Sequence, residues 1–446
     1  MVRWHRMAGG VVAVGLLAGC ASAGRETGGA TERPAPGPVT TPQATPSEAV
    51  STDVTPTPAA SAASPVEAAL QRMSVEDKVG QLFMPVLYGP AADTSSRENE
   101  ARYGVGTAAK MIEKFRPGGV ILFPWADNVK SVRQIVALTN GLQEASPDVP
   151  LLIGTDQENG RVSRLAPLVT ELPGAADIGS TGDPELARKA AEVTGKELRA
   201  LGVNVDFAPV ADVNIDPDNP VIGPRAYGDD PKKVAKMVAA AVQGFHDAGI
   251  AATAKHFPGH GDTNVDSHTG LPVIDHSRSQ WSKLDAPPFR AAIDAGVDAV
   301  MSAHLVMPKL DASGDPASLS NKILTGLLRE RLGFDGVVST DALDMGGART
   351  KYGDGEVAVR AVLAGADILL MPPDFPEARS ALLDAVGSGR ISADRLDESV
   401  RRILALKAAR DLLDEAPVAD PDEAERLIGS AAHRKVAAHI ADRIRS

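Results

Sequence analysis

The sequence predicts an α/β fold in which eight parallel strands alternate with helices in a single (β/α)8 barrel domain. Short apolar runs recur along the chain, longer helical patterns separate them, and polar side chains follow the ends of the runs. Barrel enzymes build their sites at the carboxyl ends of the strands, so this placement also predicts an enzyme. A doubly wound open sheet is the alternative that the same alternation permits.

Each predicted strand is a short apolar run bounded by turn residues. The runs lie at residues 82–88, 119–123, 151–155, 204–208, 251–255, 299–303, 336–340 and 367–371. Two of the predicted helices, at 184–201 and 231–248, each start with a proline that follows an aspartate. An Asp N-cap before a proline in the first helical position is a strong start signal.

Length and charge limit the function classes. The chain has 446 residues, of which 43% are hydrophobic, and this is enough for a proper core. The formal net charge is -12. Nucleic-acid binding requires a clustered cationic surface, so we expect no nucleic-acid partner.

The amino terminus has the pattern of a bacterial lipoprotein signal. Arg3 and Arg6 precede an apolar run at residues 11–17, and Cys20 follows shortly after. Cys20 is the only cysteine, so its thiol has no disulfide partner within the chain. We expect cleavage of a signal peptide at residues 1–19, acylation of Cys20 with a fatty acid such as palmitate, and an extracytoplasmic protein anchored to the cell membrane.

A polar stalk follows the signal. Residues 21–65 contain no Leu, Ile, Met or aromatic residue and are dominated by Pro, Thr, Ala, Ser and Gly, so they cannot bury enough apolar surface to order. We therefore divide the rest of the chain into the lipidated cysteine with a disordered stalk at 20–65, the barrel domain at 66–415 and a helical tail at 416–446.

Three polar motifs follow predicted strands. The longest, at residues 255–268, reads Lys-His-Phe-Pro-Gly-His-Gly-Asp-Thr-Asn-Val-Asp-Ser-His. Its proline and glycines rule out a regular helix, so its polar groups do not form one solvated helical face. The others are Asp-Gln-Glu-Asn-Gly-Arg at 156–161 and Ser-Thr-Asp-Ala-Leu-Asp-Met at 339–345.

In their order along the chain, at 156–161, 255–268 and 339–345, the three motifs resemble family 3 of the glycoside hydrolases. The loop at 255–268 resembles the β-N-acetylhexosaminidase branch of that family. The similarity runs from about residue 74 to 407. It implies a TIM-type barrel and a retaining exo-enzyme that releases terminal N-acetylglucosamine from peptidoglycan fragments or chito-oligosaccharides. We expect it to act as a monomer, without a cofactor or a metal.

The resemblance also assigns roles to residues. It makes Asp341 the nucleophile that forms a covalent glycosyl intermediate, His268 the acid/base and Asp266 the partner that orients the imidazole. A histidine suits this role because it titrates near neutrality. The positions that correspond to substrate contacts are Asp156, Arg164, Arg225, Lys255 and His256.

Each role has a structural alternative. Asp341 could cap the following turn, and His268 could belong to an ordinary surface pair. The basic residues could form salt bridges at the barrel rim, which is what we expect of Arg161. We expect His260 to shape its loop, and His304 has no role that follows from the sequence.

The end of the chain resembles a connector. In two-domain relatives a segment like residues 428–434 leads into a second α/β domain, so we expect 416–446 to resemble a truncated connector. Such relatives often draw an acid or a binding loop from the second domain. An acid within the barrel loop makes that domain dispensable.

Three other functions fit part of the sequence. Some relatives with a histidine acid transfer the sugar to phosphate, which a neutral imidazole repels less than a carboxylate would. A sugar-binding lipoprotein would share the signal and composition but lacks a clustered acid, base and nucleophile. A metallohydrolase would use His256 and His260, which are four residues apart, but Pro258 and Gly259 disrupt the helical spacing that such a pair requires.

Overall fold

The structure is a computed structural model that describes residues 64–146, 148–413 and 418–446. The predicted signal peptide, Cys20 and nearly all of the predicted stalk lie outside these residues. Of the helices within them, none is long and apolar enough to cross a membrane.

Ten strands lie in the described part of the chain. They are β1 (Phe83–Met84), β2 (Gly119–Ile121), β3 (Leu152–Thr155), β4 (Gln157–Asn159), β5 (Val162–Ser163), β6 (Val205–Asp206), β7 (Ala251–Phe257), β8 (Ala299–Ser302), β9 (Val337–Thr340) and β10 (Leu369–Leu370). Eight of them fall on the eight predicted runs. The other two, β4 and β5, form an antiparallel hairpin that the sequence did not predict.

The remaining strands are parallel and curl into a TIM-like α/β arrangement. Six of them form one sheet in the order β2-β3-β6-β7-β8-β9, and β1 pairs with β10. Single parallel bridges join Val86, just after β1, to Ile121, and Ser339 to Ile368, just before β10. The sheet follows chain order without the reversal that defines a doubly wound sheet, so the predicted α/β class with parallel strands is confirmed.

Successive strand residues pack into two different hydrophobic clusters. In β8, for example, Ala299 and Met301 belong to one cluster and Val300 belongs to the other. This is the two-residue alternation of a pleated strand. The smaller cluster takes a residue from every parallel strand: Met84, Ile121, Leu152, Val205, Ala251, Ala299, Val337 and Leu370. These strands therefore share one inner core.

Helices follow most of the strands. They are α1 (Pro65–Arg72), α2 (Val75–Gln81), α3 (Arg97–Tyr103), α4 (Ala108–Phe115), α5 (Val132–Glu144), α6 (Ala175–Ser180), α7 (Pro184–Ala200), α8 (Pro231–Asp247), α9 (Arg278–Leu284), α10 (Ala286–Asp294), α11 (Asp354–Ala364), α12 (Phe375–Gly387), α13 (Ala393–Ala409), α14 (Pro421–Leu427) and α15 (Ala431–Arg445). The Asp-Pro starts of α7 and α8 are confirmed, because Asp183 and Asp230 accept hydrogen bonds from the first turns. A π-helical segment occupies Lys322–Arg331.

The last two helices lie in the predicted tail. Glu197 on α7 accepts hydrogen bonds from the Gly429 N–H at 3.0 Å and from His433 Nδ1 at 2.7 Å. These contacts anchor the segment between α14 and α15 to the outer face of α7. The likeness of the tail to a connector stays a prediction.

Candidate active site

A cleft of about 340 Å3 opens at the carboxyl ends of the parallel strands. The charged residues and histidines in its lining are Asp156, Glu158, Arg161, Arg164, Arg225, Lys255, His256, His260, Asp266, His268, Asp341 and Asp344. The structure thus brings together every predicted catalytic and sugar-binding residue. Their individual roles stay predictions.

A buried ion network forms one side of the cleft. Lys255 Nζ lies 2.7 Å from both Asp156 Oδ1 and Glu158 Oε1. Arg225 donates to both oxygens of Glu158, at 2.8 and 2.7 Å. Burial alone would raise the pKa of Glu158, but the adjacent Lys255 and Arg225 charges outweigh it and hold that pKa well below its usual value. The two basic residues therefore reach the cleft as parts of salt bridges, which are buried and do not lie at the barrel rim.

His256 has a polar partner at each ring nitrogen. Its Nδ1 lies 2.7 Å from Asp212 Oδ2, and an Arg225 nitrogen lies 3.3 Å from its Nε2. Both ring nitrogens of His256 therefore have polar partners, which fix the orientation of the imidazole. Asp212 also accepts the backbone N–H groups of His256 and His260, so this buried carboxylate fixes the end of β7.

The two remaining arginines of the cleft differ in their contacts. Arg164 is half-buried against the ring of Phe123, and its Nε lacks a hydrogen-bond partner among the residues that the structure describes. Arg164 also lines the cleft, and its contact with a substrate stays a prediction. Arg161 forms no ion pair within the described ranges and instead lies 3.4 Å from the Pro220 carbonyl. The prediction of a salt bridge for Arg161 is wrong, because its side chain extends along an exposed edge of the cleft.

Asp341 follows β9 directly and is fixed by its neighbours. Its Oδ1 accepts the Ala342 N–H at 2.8 Å, and its own N–H donates to Ser302 O at 2.9 Å. His304 contacts the Ala342 carbonyl at 3.0 Å and Ser318 Oγ at 2.7 Å, so this histidine holds the peptide next to the carboxylate. Burial raises the pKa of Asp341, but His256, His304 and the Ala342 N–H outweigh it, so the pKa lies below its usual value.

The predicted dyad forms in the structure. His268 Nδ1 lies 2.7 Å from Asp266 Oδ1, which also accepts the His268 N–H at 2.8 Å. The His268 side chain is 60% exposed at the rim of the cleft, whereas the ion network is buried. Because Nδ1 faces the carboxylate, Nε2 is the ring nitrogen that can exchange a proton with a substrate.

Several anchors hold the loop that carries the dyad. His260 Nε2 lies 2.9 Å from Ser267 Oγ, and the Gly346 and Gly347 N–H groups donate to the carbonyls of His268 and Ser267. These contacts agree with the expectation that His260 shapes the loop. They also bring the loop against the segment that follows Asp341.

A cluster of Asp262, His276 and Asp285 also anchors this loop. His276 lies between two carboxylates, with Nδ1 2.7 Å from Asp285 Oδ2 and Nε2 2.7 Å from Asp262 Oδ2. The two carboxylates raise the pKa of His276, and burial raises the pKa of Asp285 to about 6. Both ring nitrogens of His276 face a carboxylate, so this histidine links the loop to the start of α10 and can donate to both carboxylates when it is protonated.

Metal-binding geometry is not found among residues 64–146, 148–413 and 418–446, where no group of three or more His, Cys, Asp or Glu side chains is arranged to hold an ion. The rings of His256 and His260 are 6.1 Å apart and inclined by 69°. Asp212 and Ser267 occupy one nitrogen of each ring. The two histidines thus serve separate hydrogen-bond groups.

The sequence and the fold match known proteins. The family profile described as "Glycosyl hydrolase family 3 N terminal domain" matches residues 74–406. The chain belongs to glycoside hydrolase family 3. The assignment made from the three sequence motifs is therefore confirmed.

The family 3 relatives include hexosaminidases and a phosphorylase. Beta-hexosaminidase A of Pseudoalteromonas piscicida is 39% identical over 361 residues, which are 75% of this chain and 59% of that protein. A family 3 beta-N-acetylglucosaminidase from Paenibacillus sp. FPU-7 is 43% identical with a TM-score of 0.75, covering 83% of this chain and 69% of that one. A beta-glucoside phosphorylase, BglX, is 30% identical with a TM-score of 0.76, covering 84% of this chain and 66% of that one.

Sequence motifs did not assign every residue of this family 3 site. Glu158 lies in the motif at 156–161, but its role depends on two cations at positions 225 and 255. Asp212 follows a predicted strand, yet nothing nearby in the sequence indicates that it fixes His256. Their positions at strand ends were the available signal, and their partners come from distant strands.

Glu158→Gln is expected to lower the free energy of unfolding at pH 7 by about 3–5 kcal/mol, the usual cost of leaving buried partner charges uncompensated. Urea denaturation measures this. Because the native pKa of Glu158 is depressed, its contribution is present above the ordinary value of 4.5 and declines as the pH falls below it. The difference between wild type and variant should therefore shrink in acid.

The matched control for this change is Glu356→Gln. Glu356 also contacts two arginines, Arg360 and Arg390, but it lies at the surface with 33% of its side chain exposed. This substitution should cost no more than about 1 kcal/mol. Equal losses in the two variants would contradict the role assigned to the buried network.

His276→Gln is expected to remove a pH-dependent part of the stability. The native pKa of His276 is raised, so its stabilising contribution is complete below the ordinary value of 6.5 and declines as the pH rises through the native value. The difference in Tm between wild type and His276→Gln should be largest near pH 6 and smaller at pH 9. A constant difference across this interval would show that His276 does not carry a proton in the cluster.

Proposed function

We propose that this protein is a retaining exo-β-N-acetylhexosaminidase that releases terminal N-acetylglucosamine. The observation that carries this proposal is that Asp341 and the Asp266–His268 dyad line one cleft, above a buried and charge-paired floor. The floor can bind sugar hydroxyls, because Asp156 and Lys255 present an acceptor and a donor there. The names of the hexosaminidase relatives agree with this substrate class.

The reaction would proceed in two displacements. In the first, an Asp341 oxygen attacks the anomeric carbon, the bond from that carbon to the leaving oxygen breaks, and His268 Nε2 gives its proton to that oxygen. In the second, neutral His268 takes a proton from water, the hydroxyl bonds to the anomeric carbon, and the bond to Asp341 breaks. The sugar leaves as the β-anomer.

The low pKa of Asp341 supports the first displacement. A carboxylate must be ionised to attack, and the neighbouring imidazoles and the Ala342 N–H favour that form. His268, in contrast, must alternate between two protonation states. Its exposure to solvent permits this exchange of protons.

The activity test uses two aryl glycosides. The protein should release 4-nitrophenol from 4-nitrophenyl β-N-acetylglucosaminide much faster than from the β-glucoside, and NMR of early product should show the β-anomer. No release, or an initial α-anomer, would contradict the proposal. We also propose peptidoglycan fragments or chito-oligosaccharides as natural substrates, which a defined disaccharide of N-acetylglucosamine and N-acetylmuramic acid would test.

Phosphorolysis is the second candidate. Two observations favour it: BglX is named a phosphorylase, and the acid of the dyad is an imidazole rather than a carboxylate. A phosphate dianion would meet less repulsion at a neutral imidazole than at an ionised carboxylate. Formation of N-acetylglucosamine 1-phosphate in phosphate buffer would select this reaction over hydrolysis.

We propose that the eight parallel strands close as a (β/α)8 barrel. This is supported by the single bridges on either side of the β1-β10 pair and by the inner cluster to which every parallel strand contributes. Closure places all the strand ends on one rim. An experimental structure in which the β1-β10 pair stands apart from the sheet would contradict it.

We further propose an extracytoplasmic, membrane-anchored monomer that is acylated at Cys20. The sequence before that cysteine supports the proposal. Incorporation of labelled palmitate and recovery in the detergent phase would test the anchor, and light scattering of the detergent-free domain would test the monomer. An unlabelled protein in the aqueous phase would contradict the anchor.

A further inference from the structure

Trp125 is an exposed indole in the wall of the cleft. Its side chain is part of the lining that also includes Asp156, His268 and Asp341, and the residue is 56% exposed. Large aromatic side chains usually bury most of their surface, so an exposed tryptophan within a polar cleft indicates a contact surface. The roles proposed for the charged residues do not use it.

The indole is held in place by a row of rings and cations. It stacks on Phe123 with centroids 4.9 Å apart and planes inclined by 21°, and the ring of Tyr88 lies 5.9 Å away. Arg164 covers Phe123 and Arg102 covers Tyr88, each at 5.5 Å from the ring centroid. Phe123 supports one face of the indole, and more than half of the residue stays accessible to solvent.

The backbone beneath Trp125 is also fixed. Trp125 lies in a one-turn 3-10 helix, Pro124–Ala126. Buried Asn128 accepts the Phe123 N–H and donates to the carbonyls of Leu87 and Gly89. A flat surface that is ordered before binding loses little entropy when a ligand covers it.

We propose that Trp125 is the platform on which the leaving-group sugar of the substrate stacks. A pyranose ring presents a face of C–H groups that is apolar and flat enough to cover an indole, while its hydroxyls point outwards to water and polar groups. The terminal sugar must lie on the charged floor with its anomeric carbon next to Asp341. The leaving-group ring then lies on the side of the terminal sugar that faces the rim. Trp125 lies at that rim, as does the exposed acid His268.

This inference rests on the proposed exo-glycosidase, whose leaving group would be a second sugar ring. It adds a specificity: the protein would favour aglycones with a pyranose ring over small or linear ones. The ring of either N-acetylglucosamine or N-acetylmuramic acid would satisfy the contact. Trp125 would thus select the aglycone, and the buried floor would select the terminal sugar.

The kinetic test compares Trp125→Ala and Trp125→Leu with Trp125→Phe, which keeps a ring. We expect the Ala and Leu variants to lower kcat/KM for N,N′-diacetylchitobiose by about tenfold and the Phe variant by much less. Inhibition by free N-acetylglucosamine, which needs only the terminal-sugar site, should not change in any of them. Val273→Ala, at a residue 58% exposed and outside the cleft lining, is the matched surface control.

A binding measurement separates this inference from the proposed activity. In an Asp341→Asn background, the tryptophan emission should shift to the blue when diacetylchitobiose binds, and Trp125→Phe should abolish the shift. This readout needs no turnover. Unchanged chitobiose kinetics in Trp125→Ala, an equal loss of monosaccharide inhibition, or a blue shift that persists in Trp125→Phe would each overturn the platform.

Discussion

Asp341→Asn is expected to lower kcat by roughly 10⁴- to 10⁶-fold, the range found when a nucleophile that acts in a catalytic group is removed. An amide keeps the shape of the carboxylate and can still accept the Ala342 N–H. It cannot, however, form the glycosyl ester on which both displacements depend. The rate should therefore fall while Tm and the circular dichroism spectrum stay close to those of the wild type.

The smaller variant Asp341→Ala provides a chemical readout. Azide can enter the space of the missing carboxylate and attack the anomeric carbon, which would release the aglycone and leave an α-glycosyl azide. The configuration identifies the face from which Asp341 normally attacks. Asp344→Asn, at an exposed carboxylate in the same cleft, is the control and should keep most of the activity. An Asp341→Asn enzyme with near-normal kcat would remove Asp341 from the mechanism.

His268→Ala is expected to lower kcat/KM for diacetylchitobiose by about 10²- to 10⁴-fold, the usual contribution of a general acid. The same variant should lose far less with a 2,4-dinitrophenyl glycoside, because that leaving group departs without a proton. The side chain is 60% exposed, so the substitution should leave the fold intact. Steady-state kinetics on the two substrates measure the contrast.

Two further variants make the His268 result specific. His439→Ala, at an exposed histidine of α15 far along the chain from the cleft motifs, should behave as wild type. If Asp266 acts only through the imidazole, then adding Asp266→Asn to His268→Ala should cause no further loss. Equal losses on the two substrates, or fully additive effects of the two substitutions, would contradict the dyad.

The sequence predicted the parts of the fold that depend on local pattern. Seven of the eight parallel strands lie within the predicted apolar runs, and β7 extends two residues beyond its run. The runs were recognisable because strands buried in a parallel sheet are mostly apolar. The starts of α7 and α8 were also predicted from local sequence, because an N-cap and a proline act on the first turn only. The β4–β5 hairpin was missed because its residues are mostly polar and only half-buried.

The sequence predicted which residues line the cleft, but it did not predict which of them contact one another. Placing Asp341, His268 and Lys255 together required only that they lie at or beyond the carboxyl ends of parallel strands. The partners of Lys255 and Arg225 could not be derived, because Glu158 lies on a different strand and the register between strands is a tertiary property. His276 was missed for a related reason: its two carboxylates belong to the loop and to the start of α10.

The two residues proposed for catalysis differ in how firmly the surrounding structure holds them. Asp341 is fixed by backbone hydrogen bonds at the end of β9, whereas the His268 side chain is 60% exposed at the rim of the cleft. A substitution at this exposed position can therefore change the acid without unfolding the protein. A lineage could change its acceptor from water to phosphate by substitutions around this exposed side chain, and new acceptor preferences should arise in relatives more often than new nucleophiles.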